Sequence, residues 1–599
     1  MIKVLWRAMP VALLGLAMFQ APAALAQQGG RGGAAALNPE EKPEEGIPVN
    51  DPTTIAKCSG CHQRDAKGNM ARISWERTTP EGWQEALKRM VRLNGLQISP
   101  EDARKVVKYL SSAHGLAPEE AKSVMYMPEN RIQDETNIPN DDVRRACTTC
   151  HPFGRALSWR RSKEDWKLLT NMHVALYPQA DAAYRRPPTP PNGGGGRGGG
   201  RGGAAAPGAA GGPPPDTRDF GDIAVEYLGN SAPLHTPEWA AWSARMRAPK
   251  LAGRWLVSAH VPGKGLYTGE MVVEPGGAED EFTTRITLKS VKDGSTLTRS
   301  GHGLVYAGYS WRGRSTSNGA KDANPDSFSN EMRETLWYSA DQSNAEGRWF
   351  WGEYSEFGVD VKLERASANP ALLSLDTQAI KAGSKATRVH IFGDNLPAQI
   401  GNSDVDFGAG VTVSRVVSRS ASDAVVEVDV APTAVTGKRD VAIGRAVLQN
   451  AIAVYDKIDY MKITPETALA RLGGAVHPKG FQQFEAVGYN RGADGLNNTT
   501  DDIELGRMDA TWSVEEFMAV YGDDDKDFVG TLSPTGLFTP ALDGPNPKRK
   551  FSRNNYGDIW IVGTSKTEKD KDGKALSGRS YLVVTVPLYI KWDQPEVSR

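Results

Sequence analysis

The chain has 599 residues, with 71 Lys and Arg against 72 Asp and Glu, a net charge of −1. At about 100 to 200 residues per domain that length implies several domains, and the even charge balance excludes a general electrostatic pull toward nucleic acid or an anionic membrane surface. Only four cysteines are present, too few to hold so long a chain together by disulfides.

The first 26 residues read as a signal peptide. Lys3 and Arg7 form a basic start, Val11 to Phe19 an apolar run, and Ala24-Leu25-Ala26 a small-x-small cleavage site. The run is shorter than the ~20 residues a membrane span needs, and no later stretch reaches that length, so the expectation is a periplasmic protein with no membrane span. Residues 27–50, which begin Gln-Gln-Gly-Gly-Arg-Gly-Gly, carry too little apolar surface to fold and are expected to be a flexible tail.

All four cysteines fall in two copies of one pentapeptide, Cys58-Ser59-Gly60-Cys61-His62 and Cys147-Thr148-Thr149-Cys150-His151. This is the attachment pattern of c-type haem: two thiols one helical turn apart add to the two vinyl groups, and the following His binds the iron. The competing readings are a redox dithiol or half of a zinc site, either of which leaves the two histidines without a purpose. Two covalent haems, held by Cys58, Cys61, Cys147 and Cys150 with His62 and His151 as axial ligands, follow.

Helical periodicity surrounds each motif. Residues 51–140 form the first predicted cytochrome unit: Trp83, Leu87, Met90 and Val91 share a helix face, and Ser99-Pro100-Glu101-Asp102 opens another helix through Val106 and Leu110. Residues 141–248 repeat the order of landmarks, Trp166 standing for Trp83 and Ile223 to Leu228 for the closing helix. An insert at 185–218, mostly Gly, Pro and Ala, cannot bury a core and is expected to be a disordered surface loop. Seven residues after the shared tryptophan stand Met90 in one unit and His173 in the other. They are the predicted distal ligands, although Met70, Met172 and His114 lie in the same units. Because a Met ligand raises a haem's potential relative to a second His, electrons should run from the His151/His173 iron to the His62/Met90 iron.

Beyond Trp242 the character turns to β. Short runs rich in Val, Thr, Tyr and Trp between Gly turns predict an antiparallel barrel over 249–366; clean alternation predicts an immunoglobulin-like sandwich over 367–456; strands return in a C-terminal β domain over 457–599. The fold class is therefore multidomain, an all-α dihaem region followed by three all-β domains. No catalytic constellation appears in the β region, where His260, His302, His390 and His477 read as ordinary core or surface residues. Asp494 to Asp502 has oxygen ligands near a Gly but lacks the twelve-residue calcium loop and its terminal Glu, so it reads as a turn. Gly522 to Asp527 reads as a solvated acidic face.

The domain order, together with Pro233-Leu234-His235-Thr236-Pro237-Glu238-Trp239, Gly308-Tyr309-Ser310-Trp311-Arg312-Gly313-Arg314 and Gly347-Arg348-Trp349-Phe350-Trp351-Gly352, resembles the α subunit of quinohemoprotein amine dehydrogenase. The Gly/Pro-rich insert departs from that pattern. The resemblance implies an electron-transfer subunit of a periplasmic heterotrimer that oxidises primary amines to aldehyde and ammonia. Its cysteine tryptophylquinone would sit in a separate small subunit beside a β-propeller subunit, and its electrons would leave to a soluble copper protein or c-type cytochrome. This chain has no cysteine left for such a quinone. The alternatives are a stand-alone dihaem electron carrier or peroxidase, and a β-rich binding protein with an appended cytochrome sensor. Protein denatured and washed with acidified acetone should keep its red pigment on the chain; a colourless chain would exclude thioether-linked haem.

Overall fold

The structure is a computed structural model that describes residues 44–124, 138, 140–187, 216–317, 327, 330–517 and 523–587. The expected signal peptide, most of the expected tail and the body of the 185–218 insert lie outside the described residues.

The helices are concentrated before residue 246, and their starts are written in the sequence. α1 (Pro52–Cys58) begins where Asp51 Oδ2 accepts from the Thr54 N–H at 2.7 Å, with Pro at the first helical position. α2 (Pro80–Asn94) and α3 (Pro100–Ala113) start at Thr79 and Ser99, each accepting from the N–H three residues on. α2 stops at Gly95, whose φ of +70° is the left-handed cap that glycine adopts without strain. The short α4 (Pro118–Ala121) follows. In the first unit Met70, Ile73, Trp83, Val106, Val107 and Leu110 form the core, with Cys58 packed against it.

The second unit repeats this plan in α5 (Asp141–Cys147), α6 (Gly154–Leu157), α7 (Lys163–Leu176), α8 (Pro178–Tyr184) and α9 (Phe220–Ser231); α10 (Pro237–Arg245) closes the region. Ser162 caps α7 as Thr79 caps α2. Trp166 Nε1 donates to the carbonyl that ends its closing helix, Ala232 O at 3.2 Å, as Trp83 Nε1 does to His114 O at 2.9 Å. At the stem of the insert, Arg186 donates from its backbone N–H to Asp219 Oδ1 and from Nε to Arg218 O, so the chain leaves and re-enters at one place.

The region is not purely helical. β1 (Glu76–Thr78) and β2 (Trp159–Arg161) pair antiparallel, joining one unit to the other in the register Glu76 to Arg161, Arg77 to Arg160 and Thr78 to Trp159. The 83-residue offset that relates Trp83 to Trp166 also relates β1 to β2, so the ladder maps onto itself under a half-turn, with Arg77 and Arg160 on the axis. The expected tail needs a second correction at its end. Val49 is fully buried in the first unit, and the N–H groups of Ile47, Val49 and Asn50 donate to Ser74 O, Gly68 O and the Tyr109 hydroxyl.

The next eight strands, β3 (Gly253–Val261), β4 (Gly265–Pro275), β5 (Glu281–Ser290), β6 (Thr296–Tyr306), β7 (Ser310–Ser317), β8 (Met332–Tyr338), β9 (Asn344–Trp351) and β10 (Phe357–Arg365), close into an antiparallel barrel. Its interior is aromatic, with Trp255, Trp311 and Trp349 among its buried residues. Two four-stranded sheets then sandwich Val389, Ile391, Val426, Val428 and Ile443. The alternation of Asp423–Val430 appears as alternating burial along the strand. The remaining strands form three further sheets. Within this part the acidic run is not a solvated face. Asp525 is buried, and Asp523, Asp524 and Asp525 are clasped by Arg549 and Arg553.

Buried polar contacts join the parts. Arg312 of β7, fully buried, makes a two-pronged ion pair with Glu81 in the first turn of α2, its Nη2 donating to Oε2 at 3.0 Å. The Tyr309 hydroxyl donates to Leu116 O at 2.9 Å and Trp242 Nε1 to Ala307 O at 2.9 Å. His260, at the far end of the barrel, pairs with Glu485 of the C-terminal sheets at 2.9 Å, so it is a joint between domains. Removing one partner of a buried pair strands the other charge, which costs about 3–5 kcal/mol. Arg312→Met should lower the unfolding free energy of the first guanidinium transition by an amount of that size, and Arg312→Met with Glu81→Met should recover most of it.

Candidate functional site

The two pentapeptides sit at equivalent places, each beginning on the last residue of a short helix. Cys58 ends α1 and Cys147 ends α5. In the first motif the turn continues, the N–H groups of Cys61 and His62 donating to Cys58 O at 3.2 and 2.9 Å. In both motifs the first cysteine is half-buried and the second exposed. Burial, with Cys61 and Asp51 nearby, pushes the Cys58 thiol up to about 11, and burial alone pushes Cys147 up to about 12. A redox dithiol needs the opposite, surroundings that favour thiolate.

Three histidines share one arrangement. His62 Nδ1 lies 2.8 Å from Ala71 O, His151 Nδ1 3.0 Å from Pro152 O and His173 Nδ1 2.8 Å from Leu169 O. A carbonyl oxygen only accepts, so each Nδ1 carries the hydrogen and each Nε2 keeps a free lone pair. A backbone carbonyl on the outer nitrogen is how metal-binding imidazoles are oriented. Burial holds His151 and His173 below the usual histidine range, keeping them in the neutral form that binds metal.

The second unit brings two of these rings together. The ring centres of His151 and His173 lie 6.4 Å apart with their planes tilted by 47°. A metal held between two imidazole nitrogens at about 2.0–2.1 Å each separates ring centres by roughly 6 Å. The two rings are therefore spaced as imidazoles that would hold one metal ion between them. In the first unit, His62 has the matching orientation, and Met90 is half-buried on α2, its sulfur accepting a long contact from Asn94 Nδ2 at 3.6 Å.

The other sulfur and imidazole groups have structural surroundings. Met70 is fully buried in the core beside Trp83. His114 is likewise buried, edge-on to Trp83 and Tyr109, and burial lowers its pKa to about 4. Met172 is half-buried on α7, one residue before His173. Around His173 stand residues that no spacing rule singled out. The rings of Tyr177 and Tyr184 are 6.2 and 6.3 Å away, and Arg161, Arg89 and Arg155 lie near enough to oppose a positive charge on it. Arg89 belongs to the first unit, so the second site is not built from its own unit alone. In the C-terminal region the 494–502 loop spends its carboxylates on itself: Asp501 accepts from the Ala493 and Asp494 N–H groups, and Asp502 from Thr499 N–H and the Tyr460 hydroxyl.

Four family profiles match in succession along the chain. They are described as quinohemoprotein amine dehydrogenase A, alpha subunit, haem binding, over residues 51–186, and quinohemoprotein amine dehydrogenase, alpha subunit domains II, III and IV, over 248–366, 369–456 and 461–597. No curated protein matches in sequence. Among solved structures, the chain is similar to a redesigned β-barrel, mFAP1, bound to DFHBI (14% identity, 19% of this chain and 94% of that one, TM-score 0.16). It is also similar to human protocadherin-24 EC1-2 (11% identity, 38% and 98%, TM-score 0.14). His173→Ala should abolish one low-spin haem signal in the electron paramagnetic resonance spectrum and leave the other, whereas Met90→Ala should remove only the other; loss of neither would reject both ligand assignments.

Proposed function

The chain belongs to the quinohemoprotein amine dehydrogenase α-subunit family, with a haem-binding region followed by domains II, III and IV, and from that premise we propose that it is the dihaem electron-transfer subunit of a periplasmic amine dehydrogenase. The observation that carries the reading is the His151/His173 pair, two neutral imidazoles set 6.4 Å apart with their outer nitrogens already tied to carbonyls. Cys58 and Cys61, and Cys147 and Cys150, would hold the two porphyrins covalently, with His62 and Met90, and His151 and His173, at the irons. When bound, each haem supplies a one-electron iron couple.

The chain's own residues do the rest. The carbonyls of Ala71, Pro152 and Leu169 fix three imidazoles in orientation and tautomer, so that no ligand has to rotate when the charge at the iron changes. Arg89 and Arg155 supply positive charge beside His173, which suits carboxylate groups of a porphyrin, while Arg161 is held by Glu76 and Asp165. The thioether in one unit and the imidazole in the other set the order of potentials, with electrons leaving from the Met90 site. Amine oxidation itself would occur on a cysteine tryptophylquinone in a small partner subunit, beside a β-propeller subunit, and a soluble copper protein or c-type cytochrome would collect the electrons. A dihaem peroxidase needs one iron open to peroxide, and an iron held by both His151 and His173 would offer no such position.

Among the described residues no helix is long and apolar enough to cross a membrane; the periplasm is the compartment that covalent haem attachment requires. The complex purified from periplasm through a tag on this chain should contain a propeller subunit and a small quinone-bearing subunit. Adding a primary amine without oxygen should then produce the absorption bands of reduced haem. A chain that purifies alone and stays oxidised with amine would overturn the assignment.

A further inference from the structure

The β1/β2 ladder does more than join two folds, because it presses an aromatic ring of one unit against an aromatic ring of the other. Trp83 and Trp159 meet edge to face, with ring centres 6.0 Å apart and planes at 62°. Trp83 is buried in the first unit's core, against which Cys58 packs. Trp159 packs on the second unit's core in company with Cys147. Among the described residues no other pair of rings crosses from one unit to the other. Cys58 packs against the cluster on one side of this contact and Cys147 against the cluster on the other.

We propose that the Trp83–Trp159 contact is the electronic bridge between the two haems, a reading that rests on both pentapeptides carrying haem. One electron leaves the iron of the donor site, which goes from ferrous to ferric, and enters the iron of the acceptor site, which goes from ferric to ferrous. No bond forms or breaks and no proton moves. The electrons are those delivered from amine oxidation, one at a time. Electronic coupling decays more slowly through closely packed atoms than across gaps, and here the two rings are in direct contact. Its geometry is held from both ends: Trp83 Nε1 donates to His114 O at 2.9 Å, and the Arg161 guanidinium lies 4.2 Å from the Trp159 ring centre. Trp159 is half-buried, so its replacement puts the fold at less risk than that of Trp83.

The test is the rate of electron exchange between the haems after a laser flash reduces one of them, measured on the full chain with Trp159→Leu and Trp159→Phe. The Leu variant should exchange about tenfold more slowly with both midpoint potentials and both low-spin signals unchanged, and the Phe variant, which keeps a ring at the contact, should recover most of the rate. An unchanged rate in the Leu variant, with two haems per chain in its pyridine haemochrome spectrum, would overturn the bridge and leave the dihaem reading intact. Fewer than two haems on the unaltered chain would overturn the dihaem reading itself, and the bridge with it.

Discussion

A single buried guanidinium ties the cytochrome region together. Arg77, fully buried at the centre of β1, donates to Leu234 O at 2.8 Å, to Gly115 O at 3.0 Å and in two-pronged fashion to Glu120 at 2.7 and 2.9 Å, while its carbon lies 4.8 Å from the Trp239 ring centre. It thereby joins the first unit, the turn after its closing helix, the short helix α4 and the segment that follows the second unit. Its ladder partner Arg160 approaches the same Glu120 at 3.3 Å. A charge so placed is tolerable only because every donor is used. This network keeps one unit from sliding on the other.

The β domains meet a related demand without covalent help. All four cysteines belong to the two pentapeptides, so the joints are made of burial and polar pairing. Arg312 with Glu81 locks the barrel to α2, Arg254 with Asp394 at 2.7 Å links barrel to sandwich, and Glu485 receives His260, Arg507 and the Gly263 N–H where barrel meets C-terminal sheets. Each joint satisfies its carboxylate with more than one donor, the condition under which a desolvated charge is held without a large net cost. The helix that carries Met90 is thus clamped at its first turn by a barrel residue.

Much of this was legible because it is written in local chemistry. The pentapeptides announce themselves by spacing, the third helix by Ser99 ahead of Pro100, and the sandwich strand Asp423–Val430 by alternation. The eight-stranded barrel was readable as a kind, since β-branched and aromatic runs between Gly turns admit few other arrangements. What escaped was non-local. A three-residue strand has no periodicity, so the ladder of Glu76–Thr78 with Trp159–Arg161 left no trace in either segment alone. Residues 46–50 look like a tail by composition and are docked by backbone bonds that composition does not encode. The acidic run at Asp523–Asp525 was misread because its neutralising partners, Arg549 and Arg553, lie more than twenty residues away. The cross-unit placement of Arg89 near His173 could not be read from spacing for the same reason.

The half-turn relation of the ladder has a consequence for ancestry. A pairing that is unchanged when its two strands trade places is the kind that two identical copies make when they dimerise. A single-haem cytochrome that self-associated through this three-residue strand would have possessed the joint before its gene was doubled and fused. Fusion removes the obligation to stay identical, and the equivalent positions 90 and 173 carry a thioether in one unit and an imidazole in the other. A symmetric dimer holds two equal potentials and gives electrons no direction, whereas its fused descendant can be given a slope by a change at one codon.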